Sequence, residues 1–282
     1  MTTLSPIISE KFRSLVQQML VEDCAGDDVT TTATLPIDRD VSCEIVMKQE
    51  GIVGGLFLIP YFFEQLGKNV EITPLVTEGQ FVPAGSTIVK LNGSAQAILS
   101  CERSIINVIQ HISSIATETK KYVEIATPFG CDILDTRKTL PTLRFLQKYA
   151  VSLGGGKNHR SSLAEKVLIK DNHLKIGKMG EIVREARIKT PGIFIEIEID
   201  YLSQLRDAIA LKPDAIMLDN MDPDEIKQAV KIAPESIYLE ASGGITLLNL
   251  SDYAKTGVSG ISIGALTHSV NALDISLNIG PS

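Results

Sequence analysis

The residues best suited to chemistry lie between positions 135 and 173, a stretch that we call the cationic segment. Its basic residues and histidines are Arg137, Lys138, Arg144, Lys148, Lys157, His159, Arg160, Lys166, Lys170 and His173. Glu165 is the single acid between positions 137 and 170, although the whole chain carries a net charge of −7. A local excess of cations in an acidic protein favours a small, multiply charged anion over nucleic acid as the ligand. The alternative is an ordinary helix with a solvated basic face.

Three consecutive glycines, residues 154–156, lie in the middle of the cationic segment. Glycine allows positive φ and lets the backbone approach a ligand closely. The side chains next to this glycine run or to the end of a predicted strand are Arg137, Lys138, His159, Arg160 and Lys170. Their placement favours a binding site over a solvated face.

Acids alternate with isoleucines between positions 193 and 200, where the acids are Glu196, Glu198 and Asp200. A strand with this pattern turns its isoleucines towards helices and its carboxylates towards the interior of a barrel. Buried carboxylates need cations, which are either Lys and Arg or a metal ion. Glu198 and Asp219 form a predicted pair suited to Mg²⁺ or to ribose hydroxyls. No Cys or His cluster in the sequence indicates zinc.

Glycines also follow the last two predicted strands, in Ser242-Gly243-Gly244 and in Gly264-Ala265. In barrel enzymes this position often binds phosphate through backbone N–H groups. The alternative is a pair of tight turns between strand and helix. Together with the cationic segment, these glycines predict a cavity with a phosphate end, a carboxylate pair and a cationic wall.

Elements that position these residues follow a βα rhythm from residue 131 onward, which predicts a parallel sheet closed as a TIM-like barrel. Strands are predicted at 131–134, 167–169, 194–199, 215–218, 237–240 and 260–263. Helices are predicted at 141–153, 179–189, 201–211, 223–232 and 247–255. Thr139 before Pro141, and Asp222 before Pro223, are helix-start signals.

The chain before residue 128 predicts a separate α/β domain. Helices are expected at 8–23, 55–66 and 97–127, a strand at 43–49 and short strands within 69–93. Residues 69–93 resemble a biotinyl or lipoyl carrier, but Lys90 lies inside an apolar run, so we interpret them as a structural sandwich. We predict a first domain of residues 1–112, joined by the tail 268–282, and a barrel domain of residues 113–267.

Composition limits the protein class. Residues 1–12 lack a signal-peptide pattern, and the longest apolar run, residues 51–63, is too short to span a bilayer. Four scattered cysteines without a CxxC motif fit reduced thiols. We therefore expect a cytoplasmic protein that binds neither membrane nor nucleic acid.

Several motifs closely resemble the quinolinate phosphoribosyltransferase family and follow the order found in that family. They are GDDVTT at 26–31, ERSIINVIQHISSIAT at 102–117, DTRKT at 135–139, GGGKNHR at 154–160, IKDNH at 169–173, EIEID at 196–200, MLDNM at 217–221, ASGGI at 241–245 and ISIGALTHS at 261–269. The resemblance covers nearly the whole chain. One departure is the pair Cys24 and Ala25, which precedes Gly26 where the family often has another glycine.

The resemblance implies a reaction and an architecture. Quinolinate and phosphoribosyl pyrophosphate (PRPP) would give nicotinate mononucleotide, pyrophosphate and CO₂ in NAD biosynthesis. The fold would be an N-terminal open α/β sandwich plus a C-terminal, incomplete seven-stranded α/β barrel. A homodimer, or a hexamer built from dimers, would complete each active site from the neighbouring chain.

The resemblance also implies roles for individual residues. Those expected to bind quinolinate are Arg103 of the neighbouring subunit, Arg137, His159, Arg160 and Lys170. Those expected at PRPP are Lys138, which faces the pyrophosphate, and Ser242, Gly243, Gly244, Gly264 and His268 around the 5′-phosphate. Glu198 and Asp219 would contact ribose hydroxyls and Mg²⁺, directly or through water. Lys138, Lys170, Glu198 and Asp219 form the predicted catalytic set.

Other interpretations remain open. Glu102 and Arg103 form a surface ion pair in the simplest interpretation, and His111 is a helix residue without a role. His173 is expected to cap a strand end, while Asp171 and Asn172 support the site from outside. A paralogue such as the protein found in molybdenum-transport operons would act on another small acid, but it would be expected to lose part of the arginine set. A non-enzymatic carrier would carry a modified lysine.

Overall fold

The computed structural model describes residues 6–35 and 37–280, which divide into two compact units. The first unit comprises residues 1–117 and 271–282, and the second comprises residues 118–270. The predicted division into residues 1–112 with 268–282, and 113–267, stays a prediction. Two parts of that predicted division, residues 1–5 and 281–282, lie outside the described residues. The same holds for the first five residues of the segment 1–12, which is predicted to lack a signal-peptide pattern.

Twelve strands in the described part of the chain form three sheets. In chain order they are β1 (Asp40–Met47), β2 (Gly51–Ile52), β3 (Val70–Pro74), β4 (Phe81–Val82), β5 (Thr87–Ser94), β6 (Asp132–Leu134), β7 (Val167–Ile169), β8 (Ile195–Ile199), β9 (Ala215–Asp219), β10 (Tyr238–Ser242), β11 (Gly260–Ser262) and β12 (Ile275–Ile279). The helices are α1 (Pro6–Glu22), α2 (Val29–Thr34), α3 (Ile59–Gln65), α4 (Ala95–Ala126), α5 (Arg144–Leu153), α6 (Asp171–Leu174), α7 (Met179–Lys189), α8 (Leu205–Ala210), α9 (Pro223–Ile232), α10 (Leu250–Ala254) and α11 (Ala265–His268). Among these, no helix is both long and apolar enough to cross a bilayer.

The first unit is built on a four-stranded antiparallel sheet with the order β12-β1-β5-β3, beside the two-stranded pair β2-β4. Alternate residues of β1, namely Cys43, Ile45 and Met47, are buried, as the two-residue period of a one-sided sheet requires. Strand β12 joins this sheet from the end of the chain. Lys90 lies in the middle of β5 and pairs with Glu44 at 3.1 Å, so it is not at a hairpin tip as a carrier lysine would be.

The second unit is built on a six-stranded parallel sheet with the order β6-β11-β10-β9-β8-β7. Strands β8 and β11 are buried throughout, as expected of strands covered on both faces. The mixed α/β fold and the TIM-like sheet are confirmed. Six strands occur here among the described residues, where the resemblance implied seven, and Lys157 adds a single parallel bridge to Leu134 at the β6 edge.

The observed starts of α5 and α9 show whether the two helix-start signals of the sequence were interpreted correctly. Asp222 accepts hydrogen bonds from the N–H groups of Asp224 and Glu225, both at 2.9 Å, so the predicted start of α9 is confirmed. The predicted start at Pro141 is wrong. Thr142 has a φ of 64°, which interrupts a right-handed helix, and α5 begins only at Arg144. The two helices predicted at 201–211 and 247–255 are also shorter, at 205–210 and 250–254.

Candidate active site

A cavity of about 310 Å³ lies in the second unit at the carboxyl ends of the parallel strands. Its lining comprises Thr136, Arg137, Lys138, His159, Arg160, Leu168, Lys170, Glu198, Met217, Asp219, Ser242 and Ser262. Parallel strands deliver the residues at their ends to one edge of the sheet, so motifs far apart in sequence meet here. The structure thus brings together eight of the predicted site residues: Arg137, Lys138, His159, Arg160, Lys170, Glu198, Asp219 and Ser242.

Two guanidinium groups form the cationic wall of the cavity. Arg160 is 7% exposed and donates from Nη1 to the backbone carbonyl of Lys166 at 3.1 Å. Among the described residues, none accepts a hydrogen bond from the buried Nε of Arg137 or of Arg160. Burial, and then the charge of Arg137, lower the pKa of Arg160. Two partly desolvated cations with unused donors attract an anion that can bind both.

Strand β8 buries two of the three alternating carboxylates, whereas the third, Asp200, follows the strand and is exposed, not directed into the barrel as predicted. Glu196 and Glu198 are both buried, at 1% and 5% exposure, and each is paired with a cationic or polar side chain. Glu198 forms an ion pair with Lys170, whose side chain remains partly exposed to the cavity. The lysine therefore holds Glu198 at the cavity wall and still has donors to offer a ligand.

His159 is bonded through both ring nitrogens. The backbone N–H of Arg160 donates to Nδ1 at 2.8 Å, so Nδ1 carries a lone pair. The proton then lies on Nε2, which is 2.8 Å from Oε2 of Glu196. The ring lines the cavity, but in this arrangement it fixes Arg160 and Glu196 more directly than it presents an N–H to a ligand.

Glu240 is a site residue that the sequence interpretation missed. It lies in β10, contacts Glu196 and accepts a hydrogen bond from Ser262, which lines the cavity. Burial, and then the charge of Glu196, raise the pKa of Glu240 well above its usual value. A proton on Glu240 would allow the two acids to share a hydrogen bond, and the buried Oε1 of Glu196 has no partner among the described residues. The sequence did contain a signal for Glu240. It is an acid that directly follows Leu239 within an apolar predicted strand.

Replacing Glu240 by glutamine tests this shared proton. The folded protein retains the proton at pH values where the unfolded chain has lost it, because the pKa is raised only on folding. Its free energy of unfolding therefore falls as the pH rises from about 4.3, the usual glutamate value, through the raised value. The glutamine side chain of Glu240→Gln would keep a donor and could not ionise, so the variant should be the more stable protein at alkaline pH. Urea denaturation at a series of pH values measures this, and identical pH dependence in both proteins would contradict it.

The turn after Ser242, where the sequence predicts a phosphate site, contains two glycines with positive φ, Gly243 at 98° and Gly244 at 62°. A Cβ atom on Gly243 would lie 2.1 Å from Oδ1 and 2.9 Å from the backbone N of Asn220. The turn is thus pressed against the end of β9, where Asn220 N–H also donates to the Ser242 carbonyl at 2.8 Å. Only glycine permits this close contact at a positive φ.

Lys138, Gly264 and His268 lie together on the neighbouring side. A Cβ atom on Gly264 would be 3.1 Å from Nε2 of His268 and 3.2 Å from Cδ of Lys138. The hydroxyl of Thr267 donates to the Lys138 carbonyl at 2.7 Å and so ties α11 to the Lys138 backbone. His268 is exposed and pairs with Ser269, while Lys138 lines the cavity.

Four cations of the cationic segment serve other purposes, which corrects the view of it as one anion-binding surface. Arg144 donates to Thr139 and to the Ser161 carbonyl, both at 3.0 Å. Lys157 pairs with Asp132, and Lys166 lies over the ring of Phe194. Lys148 is buried in an ion pair with Asp135. His173 accepts from the Lys170 N–H at 2.9 Å, at the start of α6.

Oxygen ligands for a metal are available at the cavity. Glu198 and Asp219 both line it, and such a donor set suits Mg²⁺. His159, Glu196 and Glu240 form a second group, with one ligand atom each within 4.8 Å of the others, but these atoms are buried and bonded to one another. Arg103 lies in the first unit, exposed on α4 and 3.9 Å from Glu102. Its predicted role across a subunit interface stays a prediction.

Comparison with known proteins gives consistent results for both units. The family model described as quinolinate phosphoribosyl transferase, N-terminal domain, matches residues 28–113, and the corresponding C-terminal domain matches residues 115–278. A Bacillus subtilis (strain 168) protein named probable nicotinate-nucleotide pyrophosphorylase (carboxylating) is 42% identical over 272 residues, covering 95% of this chain and 93% of that protein. The nicotinate-nucleotide pyrophosphorylase (carboxylating) of Mycobacterium leprae (strain TN) is 37% identical, covering 95% and 96%. The solved structure of the Francisella tularensis nicotinate-nucleotide pyrophosphorylase has a TM-score of 0.92 and 39% identity, covering 96% of each chain.

Proposed function

This chain belongs to the quinolinate phosphoribosyltransferase family, and from that premise we propose how its site works. It is an enzyme that transfers phosphoribosyl from PRPP to quinolinate with decarboxylation, giving nicotinate mononucleotide, pyrophosphate and CO₂ for NAD biosynthesis. The observation that carries the proposal is the cavity itself, in which Arg137, Arg160 and Lys170 face the same space as Ser242 and Lys138.

Quinolinate is a pyridine with two adjacent carboxylates, and the cationic wall is complementary to it. Arg137 and Arg160 each offer a planar fork for a carboxylate, and their Nε donors are free within the described chain. Lys170 adds a point charge at the same wall. Binding the dianion would relieve the repulsion between the two guanidinium groups, so substrate and site stabilise each other. His159 supports the wall by holding Arg160.

PRPP would occupy the side of the cavity opposite the cationic wall. Backbone N–H groups of the Ser242–Gly244 turn and of Gly264 would bind the 5′-phosphate, with His268 close by. Glu198 and Asp219 would bind the ribose hydroxyls and Mg²⁺. When bound, Mg²⁺ would neutralise pyrophosphate charge.

The chemistry follows from this placement. The bond from C1′ of ribose to pyrophosphate breaks, and the quinolinate nitrogen donates its electron pair to C1′. Lys138 stabilises the departing anion. The pyridinium nitrogen then accepts charge as the C2–carboxylate bond breaks, CO₂ leaves, and C2 takes a proton from water. No general base is required, so orientation of the two substrates supplies much of the rate enhancement.

The assay that tests the function mixes the purified protein with quinolinate, PRPP and Mg²⁺ and measures CO₂ and nicotinate mononucleotide. We expect both products in equal amounts. Replacing quinolinate with nicotinate, which lacks the C2 carboxylate, should give little turnover. Preference for nicotinate or another small acid would instead indicate the paralogue, and a modified lysine in the intact mass would indicate a carrier.

Lys138 provides a further prediction. Lys138→Met should lower kcat by about 10²–10³-fold, because one charged group that stabilises the leaving anion is lost. The dissociation constant of quinolinate should hardly change, since the arginine wall remains. Stopped assays and calorimetric titration measure the two quantities. Lys231→Met, an exposed lysine of α9, is the control and should match the parent protein. A Lys138 variant with full kcat would remove this lysine from the mechanism.

We also propose a cytoplasmic homodimer, or a hexamer built from dimers, in which Arg103 reaches the neighbouring cavity. The exposed position of Arg103 on α4 leaves it available for such a contact. Mixing an Arg103→Ala chain with an inactive Arg160→Ala chain tests this. Hybrid dimers should regain part of the activity if each site combines residues of two chains, and none if Arg103 acts within its own chain.

A further inference from the structure

A buried ion pair contacts the cavity-lining residue His159 and takes no part in the proposed chemistry. Asp135 and Lys148 pair with side-chain exposures of 0% and 4%. Burial raises the pKa of Asp135 and lowers the pKa of Lys148, so both charges are held against a desolvation penalty. Buried ion pairs contribute little to stability compared with apolar residues of the same volume. The pair therefore calls for an explanation other than stability.

The two side chains bind the backbone of the same residue, His159, one at its N–H and the other at its carbonyl. The backbone N–H of His159 donates to Oδ1 of Asp135 at 2.9 Å, and Nζ of Lys148 donates to the His159 carbonyl at 2.9 Å. Asn158 extends the arrangement, since its Nδ2 donates to Oδ2 of Asp135 at 2.6 Å and to the Lys148 carbonyl at 2.9 Å. Both polar groups of the His159 backbone are thus fixed by one ion pair.

The fixed backbone of His159 adjoins the cationic wall. His159 precedes Arg160 and accepts its N–H through Nδ1, while Asp135 lies two residues before Arg137. The pair consequently connects three segments: the end of β6, helix α5 and residues 154–160. Arg137 follows the first of these segments, and Arg160 ends the last. A displacement of about 1 Å at such a point changes the spacing of the two guanidinium groups, and catalysis is sensitive to shifts of this size.

We propose that Asp135 and Lys148 are positioning residues that set the spacing of Arg137 and Arg160 and thereby select a vicinal dicarboxylate. The proposal rests on the proposed function for its substrate, but its structural part is independent of it. Neither side chain touches the substrate. Their contribution is a fixed backbone beneath the two arginines.

Three variants separate positioning from stability. Lys148→Met leaves an unpaired buried carboxylate, so it removes both the His159 contact and the charge balance. The double variant Asp135→Asn with Lys148→Met restores neutrality and keeps an acceptor for the His159 N–H, but leaves the His159 carbonyl without its donor. Lys157→Met is the matched control, because Lys157 also links the 154–160 segment to β6, through Asp132 at 2.7 Å, on the exposed side.

We expect Lys148→Met to melt at a lower temperature and the double variant to recover most of that loss. The KM for quinolinate should rise roughly tenfold or more in both, while the KM for PRPP stays within about twofold. Lys157→Met should resemble the parent protein throughout. A double variant with a normal KM for quinolinate would overturn the proposal, and so would an equal rise in Lys157→Met.

Amide hydrogen exchange keeps the test independent of the reaction. Amides 158–160 should exchange slowly in the parent protein and in Lys157→Met, and at least about tenfold faster in the two Lys148 variants. Unchanged exchange would refute the positioning role whether or not quinolinate is the substrate. Conversely, a parent protein that fails to turn over quinolinate, with the exchange pattern as expected, would refute the proposed function and leave the positioning pair intact.

Discussion

Arg160→Ala is expected to lower kcat/KM for quinolinate by about 10³-fold while the protein stays folded. The guanidinium is one of two planar forks on the cationic wall, it is 7% exposed, and its Nε is free within the described chain. A charge-assisted bidentate contact in such a desolvated site contributes several times more than one on an open surface. The loss should appear mainly in KM for quinolinate, with KM for PRPP nearly unchanged.

The stability of Arg160→Ala should stay close to that of the parent protein although its activity is largely lost. Removing Arg160 deletes one bond to the Lys166 carbonyl, but it also removes a buried cation next to Arg137. The two changes oppose each other, so we expect the free energy of unfolding to change by less than about 1 kcal/mol. Arg206→Ala, an exposed arginine of α8, is the control for loss of a guanidinium. Full turnover by Arg160→Ala, or a collapse of stability that accounts for its inactivity, would contradict the assignment.

Gly243→Ala is expected to have the second large effect, on PRPP rather than on quinolinate. The new Cβ would meet Oδ1 and the backbone N of Asn220, at 2.1 and 2.9 Å, in a residue whose φ is 98°. The side-chain oxygen can move, but the backbone of Asn220 is held at the end of β9, so the turn must shift instead. We expect KM for PRPP to rise by about 100-fold and stability to fall by about 2–4 kcal/mol.

Gly244 supplies the matched control for this prediction. Its φ of 62° is also positive, yet a Cβ there would meet nothing within 4 Å among the described residues. Gly244→Ala therefore isolates the backbone strain of a left-handed residue, about 1–2 kcal/mol, from the contact with Asn220. Steady-state kinetics with quinolinate and PRPP varied in turn measure how far the effect of Gly243→Ala exceeds that of Gly244→Ala. Equal effects of both variants would show that the contact with Asn220 is unimportant.

The fold was largely predictable because its signals are local. Repeated short apolar strands separated by helical stretches imply parallel strands, and parallel strands bring their carboxyl ends to one edge. That rule alone predicts that Lys170, Asp219 and Ser242 lie near one another, and all three line the cavity. The capping signal at Asp222 was also sufficient, since the cap and the N–H groups that it binds lie within three residues.

The start of α5 was not predictable from such signals. Thr139 and Pro141 form a good local start pattern, but Gln147 binds the Leu140 N–H and the Thr267 carbonyl, and Arg144 binds Thr139 and the Ser161 carbonyl. The carbonyls of Thr267 and Ser161 come from distant segments, and together with the two local contacts they hold residues 139–143 outside the helix. A local propensity of a few tenths of a kcal/mol per residue is easily overridden by such contacts.

The sequence by itself determined the type and order of the chemical groups: a cationic segment, carboxylates on alternate strand positions, and glycines after the last strands. Only the tertiary structure decided how each member is used. Lys148 and Lys170 are both lysines of the same segment, yet one is buried against Asp135 and the other lines the cavity. Glu196 and Glu198 share a strand face, but two residues along a strand move a side chain about 6.6 Å, from the buried interior to the cavity wall. The burial of each side chain depends on which neighbouring strand and helix pack against it. These are long-range contacts, and the linear sequence pattern does not contain them.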